Sequence, residues 1–382
     1  MTTLAALVLP YRTAALPGIG GRLRTTDDDF AVDEIPAYAA DGTGDHVFVH
    51  VEKRGLTTPE AARRLAALAG VAVRDVGWAG LKDRHAVTRQ WLSLPPPTRP
   101  EPLAAVAEPG LTVLAAVRHR HKLRTGHLRG NRFALVVREV GDAEAAAARA
   151  RAVLAALAAG APNWYGEQRF GARGDNADAG LALVRAGGRG GGPSRTKRFL
   201  VSALQSYLFN QWLTQRLDDG LATTVLAGDV LEKTATGGMF TSTDPAVDQA
   251  RLDAGELAIT GPMFGAAMRS PPDGTPAQLR EARVLDAVGL GPADFAKVGS
   301  LGSGTRRTAL LRLTDAAVEV VAPDAIRVTF SLPAGAYATA ILREVQKSPA
   351  GFGHDPHETS PDPDGPGDHA GDADDHLASA PS

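Results

Sequence analysis

The 382-residue chain contains no cysteine. That excludes disulfide scaffolds, thiol nucleophiles and thiolate-ligated zinc or iron–sulfur sites, and it fits a reducing cytoplasm. No window approaches the roughly 18 uncharged apolar residues of a membrane span, so no membrane-spanning helix is expected. The opening MTTLAALVLPYR lacks a basic leader and its apolar stretch is short, so no signal peptide is expected. No metal-spaced His/Glu pattern and no Gly-x-Ser-x-Gly element occurs, which leaves metallohydrolase and α/β-hydrolase chemistry without support. The glycine-rich run 187–192 is not closed by Gly-Lys-Ser/Thr; it reads as a linker and not as a phosphate loop. No internal repeat is visible. What remains is a globular balance of 44% hydrophobic and 22% charged residues, with length enough for two domains that each bury a core.

The formal net charge of −2 conceals an asymmetry. Residues 351–382 carry eight acids, four of the ten histidines and no Lys or Arg. Without them the chain holds 41 basic against 35 acidic residues. The body is therefore mildly basic, and residues 348–382 read as an acidic tail, too rich in Pro, Gly and Asp to pack.

The first third alternates strand and helix signals. Val47, Val49 and Val51 alternate with Phe48, His50 and Glu52, which predicts a strand. Thr57-Thr58-Pro59-Glu60 is a helix start, and Gly70 a plausible stop. Residues 87–94 and 133–140 read as strands, and 142–159 as an Ala-rich helix. The texture changes near residue 161. Beyond it, Phe199 through Leu217 show helical spacing, and 220–315 look irregular. Ile326, Val328, Phe330 and Leu332 then alternate as a strand, followed by a helix carrying Tyr337, Ile341, Leu342 and Val345. This late strand and helix match the first third better than the middle does, which hints at an insertion.

Two segments stand out chemically. Between Arg118 and Arg138 lie seven cations in 21 residues with no acid. Glycines and Phe133 are interleaved, which favours a phosphate backbone over a merely solvated face. Arg118, Arg120, Lys122, Arg124, Arg129 and Arg132 are the expected RNA contacts. The second segment is Lys82-Asp83-Arg84. An acid flanked by two cations is expected to stay ionised, which suits a nucleophile better than an acid catalyst; the bland alternative is a surface ion-pair turn. Phe30, behind three aspartates, reads first as a core anchor, and Trp164-Tyr165 is equally open.

Together these segments resemble the TruD family of tRNA pseudouridine synthases. Gly80-Leu81-Lys82-Asp83-Arg84-His85-Ala86-Val87-Thr88-Arg89-Gln90 is similar to the signature around the family's catalytic aspartate. Asp29-Phe30-Ala31-Val32-Asp33-Glu34 resembles its N-terminal motif, and Gly44-Asp45-His46 with Lys53 and Thr57 a further block. His121 to Gly126 with Gly130 to Phe133, Pro162 to Gly171, Ser202 to Asn210, Gly304 to Arg307, and Leu332 to Thr339 with Leu342 to Glu344 continue the series in order.

The resemblance implies an α+β fold: a pseudouridine-synthase catalytic domain with a mixed, largely antiparallel sheet, and an inserted α/β TRUD domain. The expected divisions are 1–160 and 316–347 for the catalytic domain, 161–315 for the insertion and 348–382 for the tail. The implied activity is isomerisation of uridine to pseudouridine in tRNA, at position 13, without metal or organic cofactor. The implied partner is tRNA, bound by a monomer needing no obligate protein partner. Asp83 matches the catalytic aspartate, expected to act as nucleophile or to stabilise charge and move a proton. Phe30, Asn131 and Tyr337 match uridine-pocket positions, and Phe133 and Arg24 extend that set. Tyr337 stands where some relatives carry Phe, and Arg24 where some carry Lys. A rival reading is a tRNA-binding or folding protein with a relic site; the intact Asp83 and pocket rings speak against it. A different RNA-modifying enzyme would require a methyl-donor loop or a metal site, and neither is visible.

Overall fold

The computed structural model describes residues 4, 5, 8–171 and 173–348. The expected disorder of the tail falls on residues outside that set, Ser348 apart. The chain forms two compact units. One comprises Tyr11–Ala161 and the described residues from Leu311 onward; the other comprises Pro162–Leu310 and the described residues before Tyr11.

The first unit is built on one sheet. Its long strands run in the order Thr314–Ala322, Ala325–Pro333, Leu128–Arg138, Phe30–Pro36, Val87–Leu94, His46–Arg54 and Leu111–His119. Among these neighbours only Phe30–Pro36 and Val87–Leu94 pair in parallel. This is the mixed, largely antiparallel sheet that the resemblance implied.

Strand alternation explains how the core divides. On one face Phe30 and Val32 align with Leu135 and Phe133, which align in turn with Val328 and Phe330. All six are buried and pack with helices Ala143–Ala156 and Ala338–Gln346. Full burial of such a side chain contributes about 1.5–3 kcal/mol. Farther across the same face, Val47, Val49, Val51, Leu92 and Leu94 pack with helix Thr58–Ala69 into a second core. That helix begins as the sequence predicts. Glu60 accepts from the Thr57 N–H, Thr57 Oγ1 accepts from the Glu60 N–H, and Gly70 ends the helix at φ 68°.

Between the two cores the same face carries a polar strip. The register places Glu34 beside Asn131, Thr88 beside both Val32 and Lys53, and Gln90 beside Val51. Lys53, Thr88 and Gln90 are fully buried. Polar groups in such a place call for partners; the loop at residues 79–86 supplies them to Lys53 and Gln90, while Thr88 Oγ1 has none among the described residues.

In two places the elements depart from the sequence reading. Strand Leu128–Arg138 starts five residues before the expected 133, because Arg129 and Arg132 are exposed within it and break the apolar alternation. Residues 220–315 are not irregular. They form an antiparallel sheet, Met239–Thr241, Val230–Lys233, Leu257–Met263 and Thr305–Thr308, with helices Pro245–Asp253, Pro276–Asp286 and Pro292–Val298. The elements are short, and charge enters the core. Arg216, on helix Ser194–Asp218, pairs with Asp229 at 2.7 Å, and Arg306 with Glu281 at 2.7 Å, all four buried. Buried ion pairs leave no periodic apolar run to read. Among the described residues, no helix is long and apolar enough to cross a membrane.

Candidate active site

The loop at residues 79–86 is held from beneath, through its main chain. Thr58 Oγ1 accepts from the Lys82 N–H at 2.9 Å and donates to Gln90 Oε1 at 2.8 Å. Gln90 Nε2 donates to the Gly80 carbonyl at 3.2 Å. Lys53 Nζ donates to the carbonyls of Leu56 at 2.6 Å, Asp83 at 2.6 Å and Lys82 at 3.2 Å. Burial lowers the Lys53 ammonium to about 8, with Lys82 adding to the effect and Asp83 opposing it.

The two cations that flank Asp83 in sequence turn away from it. Lys82 reaches into the strip and pairs with Glu34 at 2.8 Å, both side chains nearly inaccessible. Arg84 pairs with Glu60 at 2.6 Å. Burial alone would raise the Glu60 carboxyl; hydrogen bonds from the Thr57 N–H and from Arg84 outweigh it and hold the group at about 2. The cation that meets Asp83 is Arg24, with Nη2 2.7 Å from Asp83 Oδ2. Its guanidinium also lies 4.1 Å above the Phe30 ring centre. Arg24 has φ 58°, the left-handed region that a branched or long side chain rarely occupies. Asp83 itself is about half exposed. The result is a carboxylate open to solvent on a loop fixed from below, with Arg24 beside it.

The other expected pocket residues divide. Asn131 lies across the strand pair from Glu34, and its Oδ1 is buried with no hydrogen-bond partner among the described residues. Tyr337 precedes helix Ala338–Gln346 and is 46% exposed. Phe30 and Phe133 are buried. Phe133 packs on Phe330 at 5.5 Å, and Arg24 covers a face of Phe30. Sequence reasoning gave Glu34, Gln90 and Thr58 no separate role. For Glu34 and Gln90 the available signal was a polar residue at an inward-facing strand position; Thr58, at the start of helix Thr58–Ala69, carried none.

The basic segment borders this loop. The Gly126 N–H donates to the Ala79 carbonyl at 2.8 Å, and the Leu123 N–H to Ser93 Oγ at 2.9 Å. Contact is close: a Cβ on Gly77 would lie 2.2 Å from the Leu123 carbonyl oxygen. The cations are not evenly placed. Arg132 points to the face opposite Asn131, and Arg129 sits at the bulge between Leu128 and Gly130. Arg118 donates to the Gly44 carbonyl, Lys122 to the Arg74 carbonyl, and Arg120 to Asp41 at 2.7 Å. Arg138 is committed to the buried Asp29. Arg124, Arg129 and Arg132 are exposed, and their side chains have no hydrogen bond or ion pair among the described residues.

The family model for tRNA pseudouridine synthase D (TruD) matches residues 7–189 and 192–345. A tRNA pseudouridine synthase D of Anaeromyxobacter dehalogenans is 51% identical over 348 residues, covering 90% of this chain and 97% of that protein. The Thermus thermophilus protein of the same name is 42% identical over 341 residues, covering 88% and 92%. In structure, the chain is similar to a Methanosarcina mazei protein assigned to TruD, with a TM-score of 0.73 at 23% identity, covering 89% of this chain and 96% of that one.

Proposed function

The chain belongs to the TruD family, and from that premise we propose that it isomerises uridine to pseudouridine in tRNA, at position 13, with Asp83 as the catalytic group. The observation that carries this reading is the Asp83 carboxylate, half exposed on a main-chain-anchored loop and 2.7 Å from Arg24. An exposed carboxylate whose backbone is fixed is suited to meet a substrate that arrives from solvent.

The reaction breaks the N1–C1′ bond of uridine and forms a C5–C1′ bond; C5 gives up a proton and N1 gains one. Atoms balance without oxidant or co-substrate. The target base has to leave its stack first, at a cost of a few kcal/mol. Tyr337 offers an exposed ring, and stacking on such a ring returns about 1–3 kcal/mol per base. The orphaned Asn131 Oδ1 is an acceptor that the uracil N3–H would satisfy. Arg24 offsets the carboxylate's charge. Its place between Phe30 and Asp83 makes the guanidinium, rather than the Phe30 ring, the surface nearest the carboxylate.

The exposed Arg124, Arg129 and Arg132 are the phosphate contacts we assign first, with Arg118, Arg120 and Lys122 adding charge along the same segment. Pro162–Leu310 is assigned as the inserted TRUD domain.

The test is pseudouridine formation in tRNA. Asp83→Asn is expected to abolish product while tRNA binding persists, since phosphate contacts supply the affinity. Wild-type turnover by that variant would overturn the reading.

A further inference from the structure

Lys53 is a fully buried lysine with no carboxylate in hydrogen-bond contact. Its three acceptors are all main-chain carbonyls, and two of them belong to Lys82 and Asp83. An ammonium carries three N–H donors and nothing else, so three carbonyls use it completely. Lys53 projects from strand His46–Arg54, which is paired on both sides, by Val87–Leu94 and by Leu111–His119. The anchor is therefore rigid where the loop it holds is not part of any ladder. Burying a charge without a counterion is costly. A lysine kept there at that cost calls for a role that an apolar side chain of the same size cannot fill.

We propose that Lys53 is a positioning residue for catalysis: its ammonium pins the main chain at Lys82 and Asp83 and so fixes the direction of the Asp83 carboxylate. The proposal rests on the reading of Asp83 as the catalytic group. Hydrogen bonds to Thr58 and Gln90 hold the loop at Lys82 N and Gly80 O. Lys53 alone reaches the Asp83 carbonyl among the described contacts. A neutral amine has two N–H donors and has to release one carbonyl. Proton loss therefore slackens the loop without opening a cavity. The ammonium is already lowered to about 8 by burial. The charged groups that face it are Asp83 and Glu60, which favour the proton, and Lys82 and Arg84, which oppose it.

The absence of cysteine elsewhere permits a direct test. Lys53→Cys is alkylated in denaturant at its single thiol and refolded. One sample receives an aminoethyl group, which rebuilds a lysine-like ammonium; the other receives a propyl group of the same length without the amine. Single-turnover pseudouridine formation is measured at saturating enzyme, and tRNA affinity beside it. The propylated protein is expected to be slower by up to about 10²-fold, the effect of displacing a catalytic group by roughly an ångström, with affinity unchanged. The aminoethylated protein is expected to recover most of the rate. Equal rates in the two refolded samples would overturn the proposal.

The unmodified protein supplies a second arm that no refolding defect confounds. Its single-turnover rate is expected to fall as pH rises through about 8, and a rate flat well above that pH would also overturn the proposal. Asp83→Asn is the control that separates the two readings. If that variant is inactive while the propylated protein keeps full speed, only the role of Lys53 fails. If Asp83→Asn is active, the catalytic reading itself falls.

Discussion

Removing Glu34 tests the polar strip at its least accessible point. The Glu34 and Lys82 side chains are 1% and 5% exposed and meet at 2.8 Å. Glu34→Ala would leave the Lys82 ammonium buried without a counterion and the Trp91 N–H without its acceptor. Breaking a buried pair from one side costs about 3–5 kcal/mol. Replacing both partners, Glu34→Met with Lys82→Met, is expected to cost much less, since an apolar pair of similar volume needs no solvation. The contrast between single and double variants, more than either value, reports that water is excluded here. The assay is guanidinium unfolding read by indole fluorescence, comparing midpoints at constant slope. Both variants are expected to lose activity, because Lys82 adjoins Asp83. A Glu34→Ala cost below about 1 kcal/mol, the range of exposed pairs, would refute the reasoning. So would a double variant as unstable as the single one.

Arg24→Ala should slow single-turnover chemistry by roughly 10–10²-fold while barely moving the unfolding midpoint, since both partners are partly exposed; an unaltered rate would remove Arg24 from the site. The folded-state value of Lys53, about 8 against an ordinary 10.5, means that between those pH values the unfolded chain holds a proton the folded chain has released. Stability should gain from this group as pH rises through that window, by up to ~3 kcal/mol, and Lys53→Met should erase the gain in a pH series of unfolding midpoints. Glu60, held at about 2 against 4.5, has the opposite sign: its contribution is present above pH 4.5 and lost as pH falls toward 2, so Glu60→Gln should flatten the acid limb of the same series. Replacing Arg124, Arg129 and Arg132 with Ala should weaken binding to all tRNAs alike and flatten the log–log salt slope by about two units, at roughly 0.7 per single-strand contact; an unchanged slope would place these cations away from the RNA.

The elements that could be read from sequence are those in which one local rule acts alone. Helix Thr58–Ala69 has a capping box at one end and a glycine at the other, and strand Val87–Leu94 was bounded to the residue. Legibility failed where polar residues stand in buried positions. Strand Leu128–Arg138 begins among exposed arginines. The segment 220–315 hides its elements because Arg306 in a strand and Glu281 in a helix occupy buried places where an apolar residue would mark the period, and the buried Asp229 stands just before strand Val230–Lys233. A charged side chain reads as surface until its partner is known, and these partners lie 13 and 25 residues away along the chain.

The site shows the same limit at closer range. In the sequence, Lys82 and Arg84 bracket Asp83, and adjacency suggests that they set its charge. In the fold, both are spent on other acids, Glu34 and Glu60. Their partners are fixed elsewhere in the fold, Glu34 on strand Phe30–Pro36 and Glu60 in the first turn of helix Thr58–Ala69. The cation comes from Arg24, 59 residues earlier, and nothing local to Asp83 announces it. Asp83 could be chosen from its motif, but its electrostatic surroundings could not. They depend on a left-handed Arg24 backbone and on the register that brings Phe30 beneath it. The division of labour is then readable: below the loop Lys53 spends its charge on the loop's carbonyls and Lys82 on Glu34, while Arg24 meets the carboxylate from above. Substitutions below should therefore alter where Asp83 points, and substitution of Arg24 should alter the charge it faces. Retention of most of the single-turnover rate by Arg24→Lys, where Arg24→Ala loses it, would show that charge is what Arg24 supplies; an equal loss in both would refute that division.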